Sequence, residues 1–147
     1  MPEGILPNEG IGQQLESIVK LEVAGIAAWQ LVLFVNDIVP DADVTFADLV
    51  EASFDGYSRA TLERALWLEP TVDGGCAVSV YGTEPLQWYN LGTDEPTVYG
   101  YALIDSSSEV IRFIQRFEDD DIQPLEPGGR IVLLPRYTLT SAACPEA

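Results

Sequence analysis

The chain is 147 residues long, 47% apolar and 10% aromatic, with seven basic against 24 acidic side chains and a formal charge of -17. That length suits one domain with one buried core, and the charge excludes a surface built to neutralise nucleic-acid phosphates and disfavours anionic membranes. Histidine is absent, which removes the usual general base, the Ser-His and Cys-His nucleophile pairs and most transition-metal sites.

The acidic surface favours solubility, opposes self-association at low salt and attracts a basic partner. The longest apolar stretch, 24–35, is interrupted by Gln30 and falls short of the roughly 20 residues that a membrane span needs. Met1-Pro2-Glu3-Gly4 places no basic residue ahead of an apolar run. No secretory signal is expected, and synthesis in a cytoplasm follows. In that reducing compartment the two cysteines, Cys76 and Cys144, are expected as free thiols, and they have no metal-ligand spacing.

Residues 1–9 read as an extended arm, because Pro2, Gly4, Pro7 and Gly10 bracket Ile5 and Leu6 and proline disfavours helix at the residue before it. Residues 10–23 form the one good helix candidate. Ile11, Leu15, Ile18, Val19 and Val23 recur at helical spacing and make one apolar stripe. Gly25 is a plausible stop. Such a helix either packs on the protein's own sheet or docks on another subunit.

From Ala28 the pattern turns to strands. Residues 29–35 are apolar on both faces, as a covered central strand requires, and 36–43 carry turn chemistry. Residues 45–57 are ambiguous up to the Asp55-Gly56 turn. Residues 59–68 alternate as a strand does, although Leu62-Glu63-Arg64-Ala65-Leu66 also suits a helix. Asp73-Gly74-Gly75 marks a hairpin or loop. Strands are expected at 76–81 and 86–91, then at 98–104 and 110–117 around the Asp105–Ser108 turn. The last runs from Arg130 to Leu139, with Pro135 marking an edge or a bulge. About seven to nine short strands between Gly, Pro and Asp clusters predict an all-β fold, an antiparallel β-sandwich of jelly-roll-like kind with one short N-terminal amphipathic helix. The organisation expected is an arm and helix over 1–25, a β-sandwich over 26–140 and a flexible tail over 141–147.

Few constellations carry chemistry. Glu118-Asp119-Asp120-Asp121 and Asp41-Ala42-Asp43 supply carboxylates for Ca²⁺, which takes roughly six to eight oxygens, but neither matches an EF-hand loop. The favoured reading is solvated loops, with no metal or cofactor. Ser106-Ser107-Ser108 lacks the glycine frame of a nucleophile elbow, and neither Gly74-Gly75 nor Gly128-Gly129 is followed by the Lys-Ser/Thr of a phosphate loop. A carboxylate glycosidase needs two acids about 5–10 Å apart across a cleft, whereas nearly all acids here fall in turn-like segments. No catalytic residue is assigned and no enzyme is expected. Trp88, Tyr89, Tyr99 and Tyr101 form an aromatic group suited either to core packing or to a recognition stripe that meets a sugar or a protein.

Several blocks carry a resemblance. They are Leu6-Pro7-Asn8-Glu9-Gly10, the run from Leu31 to Pro40, the run from Phe46 to Tyr57, and Thr97-Val98-Tyr99-Gly100-Tyr101. With their spacing, they resemble short virion structural proteins of tailed phages, including cyanophages, of the capsid decoration (cement) type. The segment Arg64-Ala65-Leu66-Trp67 and the acidic run 118–121 depart from that pattern. The resemblance implies a non-enzymatic protein at the capsid surface of the virion, made in the host cytoplasm. It would bind the major capsid protein, neither nucleic acid nor membrane, as a homo-oligomer for which a trimer is the expectation. Ile5, Leu6, Ile11, Leu15, Ile18, Trp88 and Tyr89 are the expected partner-binding residues. A tail or fibre component and a carbohydrate-binding β-sandwich module are the alternatives.

Overall fold

The computed structural model describes residues 29–63, 66–73, 76–82, 84–105 and 108–140. The expected arm, helix and tail lie outside them, and with them Ile5, Leu6, Ile11, Leu15 and Ile18. The described chain is mostly antiparallel β, with helical structure confined to short turns such as Phe46–Asp48 and Asp119–Asp121. The described strands are β1 (Trp29–Phe34), β2 (Ala60–Leu62), β3 (Thr71–Asp73), β4 (Cys76–Val80), β5 (Leu86–Tyr89), β6 (Gly100–Asp105), β7 (Ile111–Arg116), β8 (Arg130–Leu133) and β9 (Arg136–Thr140). They divide between two compact units, and the expected 26–140 span runs through both.

The first unit comprises 29–62 and Leu86–Leu133. Its four-stranded sheet has the order β2-β1-β6-β7. β1 pairs along its whole length with β6, from Trp29 opposite Asp105 to Phe34 opposite Gly100. β6 is buried throughout, and β1 is buried except at half-buried Gln30. The two-sided apolar run at 29–35 thus occupies the covered central position that its composition demands. Val32, Ala102 and Ile104 meet Phe46, Leu49, Ile111 and Ile114 in one cluster. Alternation sends Leu31, Leu33, Tyr101 and Leu103 to the opposite face, where the Tyr101 ring lies 6.2 Å from Phe113 and 6.3 Å from Phe117. Each fully buried leucine contributes about 2 kcal/mol. Gly100 is needed at its position because a Cβ there would stand 2.2 Å from the Gln115 carbonyl oxygen and 2.6 Å from the Phe34 ring.

The second unit comprises Glu63–Pro85 and, of the described C-terminal residues, 134–140. Its sheet has the order β3-β4-β9. Trp67, 2% exposed, and Tyr81, 6% exposed, meet edge to face at 5.2 Å. The Tyr81 hydroxyl accepts from the Glu63 amide at 2.8 Å, and Ser79 Oγ donates to the Leu68 carbonyl at 2.7 Å. Cys76 is disulfide-bonded, and the chain's one other cysteine is Cys144. This corrects the expectation of two free thiols, which rested only on the prior for a reducing compartment.

Two expected strands are also revised. The continuous strand at 130–139 is instead β8 and β9, in different sheets. Pro135 has no N–H to continue a ladder, and its carbonyl accepts from the Tyr81 amide at 2.8 Å. Of the strand expected at 59–68, Ala60–Leu62 pairs with β1, and Trp67 forms an isolated bridge with Tyr81.

Candidate functional site

In the first unit, β5 and β8 form a two-stranded antiparallel ribbon. The alternation in Leu86-Gln87-Trp88-Tyr89 decides which side chains face inward. Trp88 is 5% exposed, and its Nε1 donates to the Ser58 carbonyl at 2.9 Å. Tyr89 points outward and is 48% exposed. Across the ribbon Tyr89 stands opposite Arg130 and Gln87 opposite Val132, so these four side chains share the outer face. Gln87 Oε1 accepts from the Tyr89 hydroxyl at 3.0 Å and from Arg130 Nη1 at 3.3 Å.

Two neighbouring features fix this ribbon. Buried Asn90 donates through Nδ2 to the carbonyls of Asp94, at 2.8 Å, and Leu125, at 2.9 Å, and accepts from the Gly92 amide at 3.0 Å. Every polar group of that amide side chain is therefore engaged. Gly56, with φ +98°, brings the preceding turn so close that a Cβ there would lie 2.2 Å from the Tyr89 carbonyl oxygen. The Asp55-Gly56 turn signal therefore serves the ribbon as well as the turn.

Beside β8 lies a groove of about 470 Å³ floored by Val98, Phe117, Leu125, Ile131 and Leu133, with Asp121 and Arg130 among its polar lining. A second hollow of about 390 Å³ involves Ile38, Val39, Asp41, Asp43 and Asp48. Two of its carboxylates already serve the backbone. Asp41 Oδ1 accepts from the Asp43 amide at 2.9 Å, and Asp48 Oδ2 accepts from the Thr45 amide at 2.9 Å. At 118–121 the acids form an exposed turn, with Asp119 3.8 Å from Arg116. Among the described residues no group of three or more potential ligands is placed to hold a metal ion.

The tightest polar network centres on Arg59. Its Nη2 lies 2.8 Å from Glu51 Oε1 and 2.8 Å from Glu109 Oε2, while its Nε donates to Glu51 Oε2 at 2.9 Å. The Tyr57 hydroxyl donates to the same Oε2 at 2.7 Å and accepts from the Leu33 amide at 3.3 Å. Burial pushes the Glu51 pKa up, but hydrogen bonds from Arg59 and Tyr57, with the Arg59 charge, hold it below the usual value of 4.5. Burial, then the bond to Glu51, raises the Tyr57 phenol well above its ordinary range. The bond to Glu51, offset in part by burial, raises Arg59. The three groups are locked in their common charge states. Glu109 itself has φ 55°, a left-handed conformation that L residues rarely adopt.

Of the residues expected to bind a partner, Trp88 is a core residue and Tyr89 an exposed one, and the five in the arm and helix lie outside the described residues. Tyr101 is buried at 2% exposure, so the aromatic group divides between core and surface and is not one stripe. Arg130 and Gln87 carried no sequence signal, because only strand register brings them beside Tyr89. Among the described residues no helix is long and apolar enough to cross a membrane. No protein-family model matches the chain, and neither a curated protein nor a solved structure matches it.

Proposed function

We propose that the protein is a non-enzymatic structural component of a tailed-phage virion, a capsid-decorating cement protein seated on the major capsid protein at the capsid surface. In this reading the antiparallel sheets are layers of a jelly-roll-like β-sandwich. Residues 1–25 are the anchor that reaches neighbouring subunits, and 141–147 are a tail. The supporting observation is that three arginines of the β body are each paired with carboxylates. Arg59 holds Glu51 and Glu109, Arg112 lies 3.5 Å from Asp105, and Arg116 lies 2.7 Å from Asp37. Such pairs brace loops and strands of a β body whose role is to fit against other subunits.

The test is co-sedimentation of the full chain with undecorated shells, against a variant lacking residues 1–9. The full chain is expected to pellet with the shells. The truncated chain should stay in the supernatant while its near-ultraviolet circular dichroism, which reports the buried tryptophans, is unchanged. Undiminished pelleting of the truncated chain rejects the anchor, and failure of the full chain to pellet rejects capsid decoration.

A further inference from the structure

We infer that the groove beside β8 receives an extended basic segment of another protein, which adds to the free edge of β8 as a further strand, a role that does not depend on where the chain sits in a virion. Among the described strands β8 has one neighbour, β5. The Asn90 amide donates to the Gly129 carbonyl at 2.9 Å, which sets the phase of the ladder. Alternation then turns the main-chain groups of Ile131 and Leu133 toward β5 and those of Arg130 and Val132 away from it. Among the described residues no other backbone group bonds to the main chain of Arg130 or Val132. Two donors and two acceptors, two residues apart, are therefore presented on the side away from β5.

The groove lies on that side, since its described lining includes all of β8 and no residue of β5. It holds about 470 Å³. Its far wall is held in place: the Leu125 amide donates to the Pro96 carbonyl at 2.7 Å, and Thr97 bridges with Pro124. Val98, Phe117 and Leu125 give it an apolar floor. A segment of four or five extended residues, roughly 15 Å long, matches the four residues of β8. Strand addition of this kind takes its affinity from main-chain hydrogen bonds and its selectivity from the side chains that line the groove.

Charge complementarity selects the occupant. Asp121 lines the groove and ends the exposed acidic turn 118–121, and exposed Glu126 follows the far wall. Among the described residues, only Asp119 of these five acids lies near a cation, 3.8 Å from Arg116. Arg130, the one cationic side chain in the groove lining, is turned to Gln87 at 3.3 Å. A lysine or arginine of an incoming strand is therefore attracted along this wall. The protein's own residues 1–9 carry Glu3 and Glu9 and no basic side chain, and a second copy brings another charge of -17, so both are repelled. The same carboxylates keep the bare edge from pairing with its own kind.

The experiment titrates the isotope-labelled full chain with a blocked pentapeptide, Lys-Val-Lys-Val-Lys, followed by amide NMR shifts and amide exchange. Two control peptides carry glutamate in place of lysine, or a methyl group on every backbone nitrogen. Saturable shifts at 121–125 and 130–133 are expected with the lysine peptide, and exchange of the Arg130 and Val132 amides should slow about tenfold at saturation. Both controls should bind about tenfold more weakly or not at all. Val132→Pro removes an outward N–H of the edge strand and leaves the β5 ladder in place; it should weaken binding about tenfold. Asp120→Asn with Asp121→Asn should weaken it about fivefold, most at low salt. Dispersed spectra check that the variants fold, and if Val132→Pro does not, the methylated peptide and the Asp variant decide. The inference is overturned if the lysine peptide gives no saturable shifts or shifts elsewhere, if either control peptide binds as well, or if the folded variants bind as the parent does. No capsid material enters the experiment, so its outcome is separate from that of the shell test.

Discussion

The two units hold themselves together differently. In the first, the central strands β1 and β6 lie side by side, and their side chains fill apolar layers on both faces of a four-stranded sheet. The second has three short strands, one buried edge-to-face aromatic pair and a disulfide-bonded cysteine in its central strand. A smaller unit buries a smaller share of its surface and leans more on cross-links. Core truncations should be felt most in the first unit and loss of the covalent link in the second, while the ribbon face should tolerate change.

The largest effect is expected from Leu103→Ala. Leu103 is fully buried in a central strand, and its loss should cost about 4 kcal/mol in urea unfolding. A cost below about 1 kcal/mol would mean that the β1–β6 layer is not the core of its unit. Gly100→Ala comes next, at about 3 kcal/mol, because the new Cβ meets backbone at 2.2 Å.

Cys76→Ser sharpens the contrast. It should cost about 2–4 kcal/mol, and amide exchange should place the loss in β3, β4 and β9 while β1 and β6 stay protected. Uniform loss of protection would erase the distinction between the units.

A smaller effect concerns acid. The Glu51 carboxyl is held below its ordinary value, so the folded protein binds fewer protons than the unfolded chain as pH falls. The stabilisation from Glu51 is complete above the ordinary carboxylate range and is lost as pH drops through the depressed pKa. Glu51→Gln should lower stability at neutral pH and flatten the acid limb of the stability profile. An unchanged acid limb would remove the Arg59 network from the account. The smallest change is Val132→Thr on the exposed outer face of β8, expected within about 0.5 kcal/mol of the parent.

Much of the first unit was legible in the sequence. The apolar run 29–35 suited a covered central strand, and the segments on either side of Asp105–Ser108 announced the β6–β7 hairpin. The alternation of Leu86 and Trp88 with Gln87 and Tyr89 also held the answer to which aromatic faces in. Grouping the aromatics by type concealed it. What could not be read depends on long-range register. Arg59 meets Glu109 across 50 residues, and Arg130 meets Gln87 across 43. No local pattern encodes either pairing. The break at Pro135 was half legible, since proline signals an interrupted ladder but does not say that the chain then joins a different sheet.

The central claim is a structural role in the virion, and a density map of purified particles tests it most directly. The account predicts this chain on the outer capsid surface, in a fixed copy number per shell and in contact with the major capsid protein. Finished particles that contain no trace of the chain would contradict it.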